Sequence, residues 1–480
     1  MEDALTGEIA AYVEAGPPAG SDALDVAWLA LFDALGCAMA ATRVPECMAL
    51  VAPILSCTVD QGGVPIPGTR YAADPLAAAF GTGCLVRWLD FSDTWVALET
   101  GHPSDHIGTL LATAAFASER RRTRGLAPFT LRDVLHAMMV AYEIQGILGL
   151  TNHPSGAGFD HAAFVRVPSA ALAAKLLGAD ARQIAAAVSH AWCDGHPLRV
   201  YRQAPNAGPR KSWAGPDASA RGLQLALRVM AGAPSCGTVL TDPTWGMEAR
   251  QFGGKPFTLS RPLGSYVMEN LLFKAAYPGV VHAQTALEAS IALHPTVRHR
   301  LHAIERIDLR SYATAIRITS KSGPLANPAD RDHCLQYMVA LGLLNGTLSE
   351  HHFLDETASD PRIDALRARM IVTEDPAYTA AFLDPALRAC ANSVQVTFTD
   401  GTRTDRVEIL QPVGHASRRA EGLPYLRRKL ERNLALALPE DRIAQILRLF
   451  DQGQHGQALP VSAFIGLFVP DGAPSASAVP

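Results

Sequence analysis

Two acids, a hydroxyl and an imidazole lie close together in the sequence LDFSDTW and in the GHPSD that soon follows. On a helix, Asp90, Asp93 and Thr94 would share one face, because residues three and four apart are neighbours there. His102 could then return to that face and complete a set of groups suited to proton transfer. The alternative interpretation is that the acids cap a helix or are solvated.

Four cations occur in a second segment, HPLRVYRQAPNAGPRKSW. They are Arg199, Arg202, Arg210 and Lys211, and the prolines and glycines between them argue against a regular solvated helix. A guanidinium matches a carboxylate in a bidentate manner, whereas an ammonium acts as a compact point charge. The segment therefore predicts a binding loop for a ligand with several carboxylates. A basic surface loop is the alternative.

Isolated polar residues in three further segments could join such a site. Asp160 and His161 stand in GFDH, Lys274 follows Phe273, and His282 begins HAQ. A lone histidine is more often a structural residue than a functional one. These residues gain weight only if the fold brings them to one cleft.

Helices must position most of these groups. Hydrophobic residues make up 48% of the 480 residues and charged residues 18%, which is typical of a globular chain with one large domain or two. Apolar residues at helical spacing predict a helix over Ser21–Ala40. Further helix starts are predicted by capping pairs and by a proline suited to a first turn: Thr130 with Asp133, Asp180 with Gln183, and Pro216.

The pattern changes after about residue 262. A strand is predicted over Ile307–Ile318, and a hairpin over Ser393–Phe398 and Thr402–Ile409, which flank Asp400-Gly401. Helical patterns at 280–293 and 332–346 lie between these strands. The chain is thus predicted to be mostly α, with a large all-helical domain over 1–265, a smaller α+β lid domain over 266–415, a helical return over 416–468, and a disordered tail over 469–480.

Several classes of protein are disfavoured by charge and composition. The formal charge of −4 gives no global reason to expect a nucleic-acid partner. The acidic N-terminus is unlike a signal peptide, and no apolar run is expected to reach the ~20 residues that span a bilayer, so a cytoplasmic protein is predicted. The eight cysteines form no Cys-x-x-Cys, and no metal is expected. The eight are Cys37, Cys47, Cys57, Cys84, Cys193, Cys236, Cys334 and Cys390, and most of them are predicted to be buried.

Five stretches together resemble the MmgE/PrpD family. They are LDFSDTW with GHPSD, GFDHAAFVRVPSAA, LRVYRQAPNAGPRKSWAGPDASAR, GSYVMENLLFKAAYP with the later His and Gln, and GPLANPADRDHCLQYMVA. The resemblance extends from about residue 20 to 465. It implies a large helical domain with a smaller α+β lid, which agrees with the pattern above, and it suggests a homodimer.

The resemblance also implies an activity and a site. The nearest branch removes water from the tricarboxylate 2-methylcitrate without a cofactor, giving 2-methyl-cis-aconitate in propionate breakdown, and citrate is a further possible substrate. Matching motif positions place five residues in the pocket, Asp90, Thr94, His102, His161 and Lys211, with Lys274 and His282 at basic positions on the lid side. We hypothesise that Arg199, Arg202, Lys211 and Lys274 hold carboxylates, while His102 and His161 exchange protons.

Three other interpretations compete. The same fold could act as a decarboxylase of cis-aconitate or as another lyase or isomerase. A non-catalytic carboxylate-binding protein would need the arginines but neither His102 nor His161. A structural helical scaffold would leave the basic segment from Arg199 to Lys211 unexplained. The preferred hypothesis places the active site between the helical domain and the lid.

Overall fold

The computed structural model describes residues 2–18, 22–52, 63–202 and 206–471. Helices dominate the first 270 residues and return after residue 418. The helices of the first region are α1 (Ala4–Ala15), α2 (Ala23–Ala41), α3 (Pro45–Val51), α4 (Pro75–Arg87), α5 (Ile107–Arg122), α6 (Leu131–Thr151), α7 (Ala162–Leu176), α8 (Ala181–Cys193), α9 (Arg210–Met230), α10 (Met247–Gln251) and α11 (Tyr266–Glu269). The helices that return after residue 418 are Arg419–Leu434, Glu440–Gln452 and Val461–Leu467, and they are numbered after the elements of the α+β region.

A smaller α+β region lies between them. It contains a four-stranded sheet whose strands are, in spatial order, β4 (Met370–Glu374), β3 (Ile304–Ser311), β5 (Asn392–Phe398) and β6 (Val407–Ile409). Strand β3 pairs parallel with β4 and antiparallel with β5. The elements of the α+β region are α12 (Gln284–Val297), β3 (Ile304–Ser311), α13 (Ala313–Thr319), α14 (Pro328–Arg331), α15 (Leu335–Asn345), α16 (Asp355–Ala358), α17 (Pro361–Arg367), β4 (Met370–Glu374), α18 (Pro376–Leu383), β5 (Asn392–Phe398) and β6 (Val407–Ile409). A short strand pair, β1 (Val64–Pro65) and β2 (Ala72–Ala73), lies in the helical region near the N-terminus. The returning helices are α19 (Arg419–Leu434), α20 (Glu440–Gln452) and α21 (Val461–Leu467).

Two large apolar cores correspond to these regions. The larger core runs from Ile9 to Ala275 and also includes Leu426 to Phe468, so the returning helices pack in the same core as the first ones. The smaller core runs from Val280 to Phe398 and lies between the sheet and α12 and α15. The mostly α fold with a smaller α+β part is therefore confirmed. The boundaries at 265 and 415 stay a prediction, and residues 472–480 of the predicted tail lie outside the described residues.

Local signals predicted several elements correctly. Capping boxes form at Thr130 with Asp133 and at Asp180 with Gln183, where α6 and α8 begin. The hairpin also forms, with Gly401 at a φ of 78°, although β6 covers only the last residues of the predicted strand. Each of these features depends on side chains within a few residues of one another.

Two predicted elements were wrong in extent. Helix α9 begins at Arg210, so Pro216 lies inside the helix and not in its first turn. The predicted strand over Ile307–Ile318 ends at Ser311, and the chain then turns into α13. Tyr312, at this junction, is buried and stacks on Phe382 with ring centroids 4.5 Å apart. Tertiary packing there overrides the strand preference of the β-branched residues.

Two helices, α2 and α6, are long and apolar enough to cross a membrane by length and composition. This differs from the expectation that no such run exists. Within their apolar windows, 78% of α2 and 83% of α6 is buried inside the protein, so both are core helices of this fold. Of the cysteines, Cys193 and Cys236 are exposed, Cys57 lies outside the described residues, and the other five are buried as predicted.

Candidate active site

A cavity of about 450 Å³ lies where the helical region meets the α+β region. Both regions contribute to its walls. Of the predicted site residues, Asp90, His102, His161, Arg199, Arg202, Lys274 and His282 line it, whereas Thr94 and Lys211 are buried behind it. The lining also includes residues that sequence reasoning did not single out, among them Glu99, Arg317 and His333.

Asp90 lies at the centre of a buried cluster of cations. Its Oδ1 accepts hydrogen bonds from Lys274 Nζ at 2.5 Å and from Arg87 Nη1 at 2.7 Å. Burial alone would raise the pKa of Asp90, but the charges of Arg87 and Lys274 outweigh it and hold the pKa well below its usual value. Burial likewise lowers the pKa of Lys274, to about 8, although Asp90 opposes this.

The segment around Asp90 is a loop and not the helix that the spacing suggested. Helix α4 ends at Arg87, and Asp90 has a φ of 48°, a left-handed conformation that few non-glycine residues adopt. Lys274 Nζ also donates to the Asp90 carbonyl, at 2.9 Å, and holds the backbone there. Because unusual backbone geometry is concentrated at functional sites, this observation supports a role for Asp90.

His102 is fixed by the loop rather than by a helix face. Its Nδ1 lies 2.9 Å from the carbonyl oxygen of Asp93 and 3.4 Å from Thr94 Oγ1. Since a carbonyl only accepts, Nδ1 carries the proton and Nε2 of the neutral ring keeps a lone pair. Burial, then the charges of Arg87 and Lys274, lowers the pKa of His102 well below its usual value.

Asp93 and Thr94 support this arrangement from outside the cavity. The Asp93 carboxylate accepts from the Ser104 amide and from the Tyr142 hydroxyl, each at 3.0 Å, and burial raises its pKa to about 6. Thr94 pairs through its backbone with Leu272, two residues before Lys274. These contacts connect the GHPSD loop to the segment that carries Lys274.

His161 faces His102 across the cavity wall, with ring centroids 5.6 Å apart. Its Nδ1 lies 3.2 Å from Asp160 Oδ1, and its Nε2 lies 3.7 Å from Asp105 Oδ2. Helix α9 must approach closely here, because a Cβ on Gly215 would lie 2.2 Å from Asp105 Oδ2. The imidazole is thus flanked by two buried carboxylates.

The two predicted arginines are already paired with acids. Arg202 donates to both carboxylate oxygens of Asp160, and together with Arg199 it holds the pKa of that carboxyl below its usual value even though burial opposes this. Arg199 donates to Ser155 Oγ at 2.9 Å and lies 3.8 Å from both Glu99 and Asp160. Its side chain remains 23% exposed, so it keeps donors for a ligand.

Lys211 lies in the first turn of α9 and not in a loop. Its Nζ contacts both Asp332 oxygens, at 2.5 and 2.6 Å, and His333 Nδ1 at 2.9 Å. Burial lowers the pKa of Lys211, and Asp332 opposes this. Both partners belong to the motif NPADRDHCLQYM, which was the signal for them, although their contact with Lys211 could not be read from it.

His282 also lines the cavity, and its Nδ1 is hydrogen-bonded to the Tyr312 hydroxyl. Burial and the surrounding cations lower its pKa to about 3. The ring is therefore neutral at neutral pH and presents polar surface without charge.

Asp90, Asp332 and His333 also form a compact set of possible metal ligands, with atoms within 4.8 Å of one another. The sequence spacing did not predict such a set. Lys274 and Lys211 ammonium groups already contact the two carboxylates at 2.5 Å. In this arrangement the positive charge beside Asp90 and Asp332 is supplied by lysines.

The fold and the cavity together are those of an enzyme for a small anionic substrate, because two imidazoles lie in one cavity among several cations. The MmgE/PrpD N-terminal domain matches residues 7–260, and the MmgE/PrpD C-terminal domain matches residues 277–452. The chain belongs to the MmgE/PrpD family.

Curated relatives are similar along nearly the whole chain. The 2-methylcitrate dehydratase of Escherichia coli K12 is 45% identical over 450 residues, 93% of each chain. That of Cupriavidus necator is 45% identical over 449 residues, again 93% of each. The mitochondrial 2-methylcitrate dehydratase of Yarrowia lipolytica is 42% identical over 455 residues, which are 94% of this chain and 87% of the relative.

Proposed function

We propose that this protein is a hydro-lyase that removes water from 2-methylcitrate to give 2-methyl-cis-aconitate. The observation that carries the proposal is the pairing of two differently held imidazoles, His102 and His161, in one cavity among cations. The similarity to 2-methylcitrate dehydratases over 93% of the chain supports the choice of substrate. The substrate would be a small tricarboxylate, and the reaction would belong to propionate breakdown.

His102 is the proposed base. Its proton sits on Nδ1, toward the Asp93 carbonyl, and this leaves Nε2 free to take a proton from the carbon next to a substrate carboxylate. The lowered pKa keeps the ring neutral before substrate binds. The substrate's own negative charge then favours the protonated form, because an opposite charge nearby raises a histidine pKa.

His161 is the proposed acid. The leaving hydroxyl needs a proton, because hydroxide is too poor a leaving group to depart without one. The imidazole of His161 lies between the carboxylates of Asp160 and Asp105, and in the proposed mechanism its protonated form supplies that proton. In the elimination, the C–H bond breaks toward His102 and its electron pair forms the double bond. The C–O bond breaks, and the hydroxyl leaves as water with a proton from His161.

The cations of the site would bind the substrate and stabilise the charge that develops beside its carboxylate. Arg199, Arg202 and Lys274 line the cavity, and Lys211 is buried behind it. Arg202 and Lys211 are in ion pairs with Asp160 and Asp332. In this proposal Asp90 orients Lys274, and Thr94 supports His102. His282 would contact the substrate as a neutral ring.

We also propose that the enzyme works in the cytoplasm as a homodimer. Both long apolar helices are mostly buried inside the core, and this supports the first part. Fractionation of cells and sedimentation of the purified protein would test the two parts.

A substrate panel tests the reaction. Purified enzyme is incubated separately with 2-methylcitrate, citrate and cis-aconitate, while absorbance of the unsaturated product and release of CO₂ are followed. The proposal predicts absorbance from 2-methylcitrate and no CO₂, and absorbance from citrate would show that citrate is a further substrate. Release of CO₂ from cis-aconitate would favour the decarboxylase instead, and binding without turnover would favour a carboxylate-binding protein.

A second experiment tests whether the reaction needs a metal. After exhaustive chelation the enzyme should turn over 2-methylcitrate at the same rate. Loss of activity that is recovered only on addition of iron would contradict lysine-based charge stabilisation.

A further inference from the structure

Four cationic side chains line the cavity, and they differ in what already neutralises them. Lys274 is bound by Asp90, Arg202 by Asp160, and Arg199 lies near Asp160 and Glu99. Arg317 also lines the cavity, but no carboxylate lies within ion-pair distance of it among the residues that the structure describes. Its guanidinium therefore brings positive charge to the cavity that no protein acid balances.

Helix α13 places Arg317 on the cavity wall. Thr314, Arg317 and Ile318 all line the cavity, as residues three and four apart on a helix must when one of them does. Had the chain continued as the predicted strand, Arg317 and Ile318 would have pointed to opposite faces. The turn at Tyr312 thus decides that Arg317 faces the site.

We propose that Arg317 binds one carboxylate of the tricarboxylate substrate. A guanidinium has five N–H donors and no acceptor, and its fork matches a carboxylate. The paired cations of the site must share their donors with protein acids, whereas those of Arg317 are available to a ligand. This inference rests on the proposed function for its substrate class.

Arg317 is an exposed residue at the cavity wall. A long cation that lies at an open wall can bind an incoming anion first and become buried with it. Arg317 would therefore contribute mainly to binding, and its loss should appear in KM more than in kcat. Because no carboxylate of the described residues pairs with it, its replacement should leave folding unchanged.

The test compares Arg317→Ala with a matched control, Arg403→Ala, which removes an exposed arginine of the hairpin that is not among the residues lining the cavity. Equilibrium binding of propane-1,2,3-tricarboxylate is measured by calorimetry, with propane-1,2- and propane-1,3-dicarboxylate as truncated ligands. We expect Arg317→Ala to weaken tricarboxylate binding about 10- to 100-fold, as loss of a charged hydrogen bond does. Arg403→Ala should bind like wild type, and Arg317→Lys should recover part of the affinity.

The truncated ligands separate a contact from a general charge effect. The dicarboxylate that lacks the group bound by Arg317 should bind wild type and Arg317→Ala nearly alike. The proposal is overturned if Arg317→Ala binds the tricarboxylate as wild type does, if Arg403→Ala loses as much, if both dicarboxylates lose as much as the tricarboxylate, or if wild type does not bind the tricarboxylate. A wild type that binds but does not dehydrate 2-methylcitrate contradicts the proposed reaction alone, because the binding ratios still test Arg317.

Discussion

Lys274 is a cation of the site whose charge can change in the pH range of an ordinary assay. Its Nζ is buried against Asp90, and its pKa is lowered to about 8 by burial, which Asp90 only partly offsets. Below that pH the ammonium neutralises Asp90. Above it the neutral amine leaves the carboxylate of Asp90 less compensated, in a cavity that must receive an anion.

This gives the first prediction at the residue scale. The kcat/KM of wild type should fall as the pH rises through about 8, since loss of the Lys274 proton removes one positive charge from the site. Lys274→Arg keeps its charge at every pH in the assay, so the variant should have a lower kcat/KM but no decline near pH 8. The measurement is a pH profile of kcat/KM from 6 to 10 for both proteins. The same decline in both would assign it to another group.

At the scale of elements, the returning helix α19 contacts two segments that form the site, the loop that carries Asp90 and the segment that carries Lys274. Lys429 Nζ pairs with Asp33 of α2 at 2.7 Å and donates to the carbonyl oxygens of Phe91 at 2.5 Å and Lys274 at 3.1 Å. One buried ammonium therefore connects α2 and α19 to the two segments that carry Asp90 and Lys274. The position of those side chains depends on an element more than 150 residues away.

The second prediction concerns this connection. Lys429→Met should lower the free energy of unfolding by about 3–5 kcal/mol, because it leaves the Asp33 carboxylate buried and unpaired. Lys429→Met with Asp33→Leu should recover part of that loss, since an apolar pair has no charge to desolvate. Lys175→Met, at an exposed lysine, serves as the control and should stay within about 0.5 kcal/mol of wild type. Denaturant unfolding measures all three, and an unchanged Lys429→Met would contradict the structural role.

Elements were predictable from the sequence where their causes are local. The capping boxes at Thr130 and Asp180 and the Gly401 turn depend on neighbours in the chain, and all three were predicted. Helix α13 was not, because its TAIRIT sequence has the β-branched residues of a strand, and the stacking of buried Tyr312 on Phe382 just before the helix could not be read from it. That single error also concealed Arg317, which a strand would not have placed beside Ile318.

At the scale of the whole molecule, the site depends on contacts between the helical region and the α+β region. Lys211 and Asp332 are 121 residues apart, yet their side chains form a buried ion pair beside His333. Motif similarity could propose Lys211 as a site residue, but its partner depends on how the two regions pack. Asp90 illustrates the same limit, because its spacing suggested a helix face and the fold places it in a loop with φ of 48°.

The most direct test of the account follows the oxygen atom that must leave. Wild type, His102→Gln and His161→Gln are given 2-methylcitrate labelled with oxygen-18 in its hydroxyl group. Mass spectrometry measures label in the water and in the organic product, and release of CO₂ is followed in parallel. We predict that wild type transfers the label to water in step with alkene formation, with no CO₂. Each variant should remain folded, with turnover reduced about 10²- to 10⁴-fold. Label retained in a product, CO₂ in place of labelled water, or near-normal turnover without both imidazoles would contradict dehydration by this histidine pair.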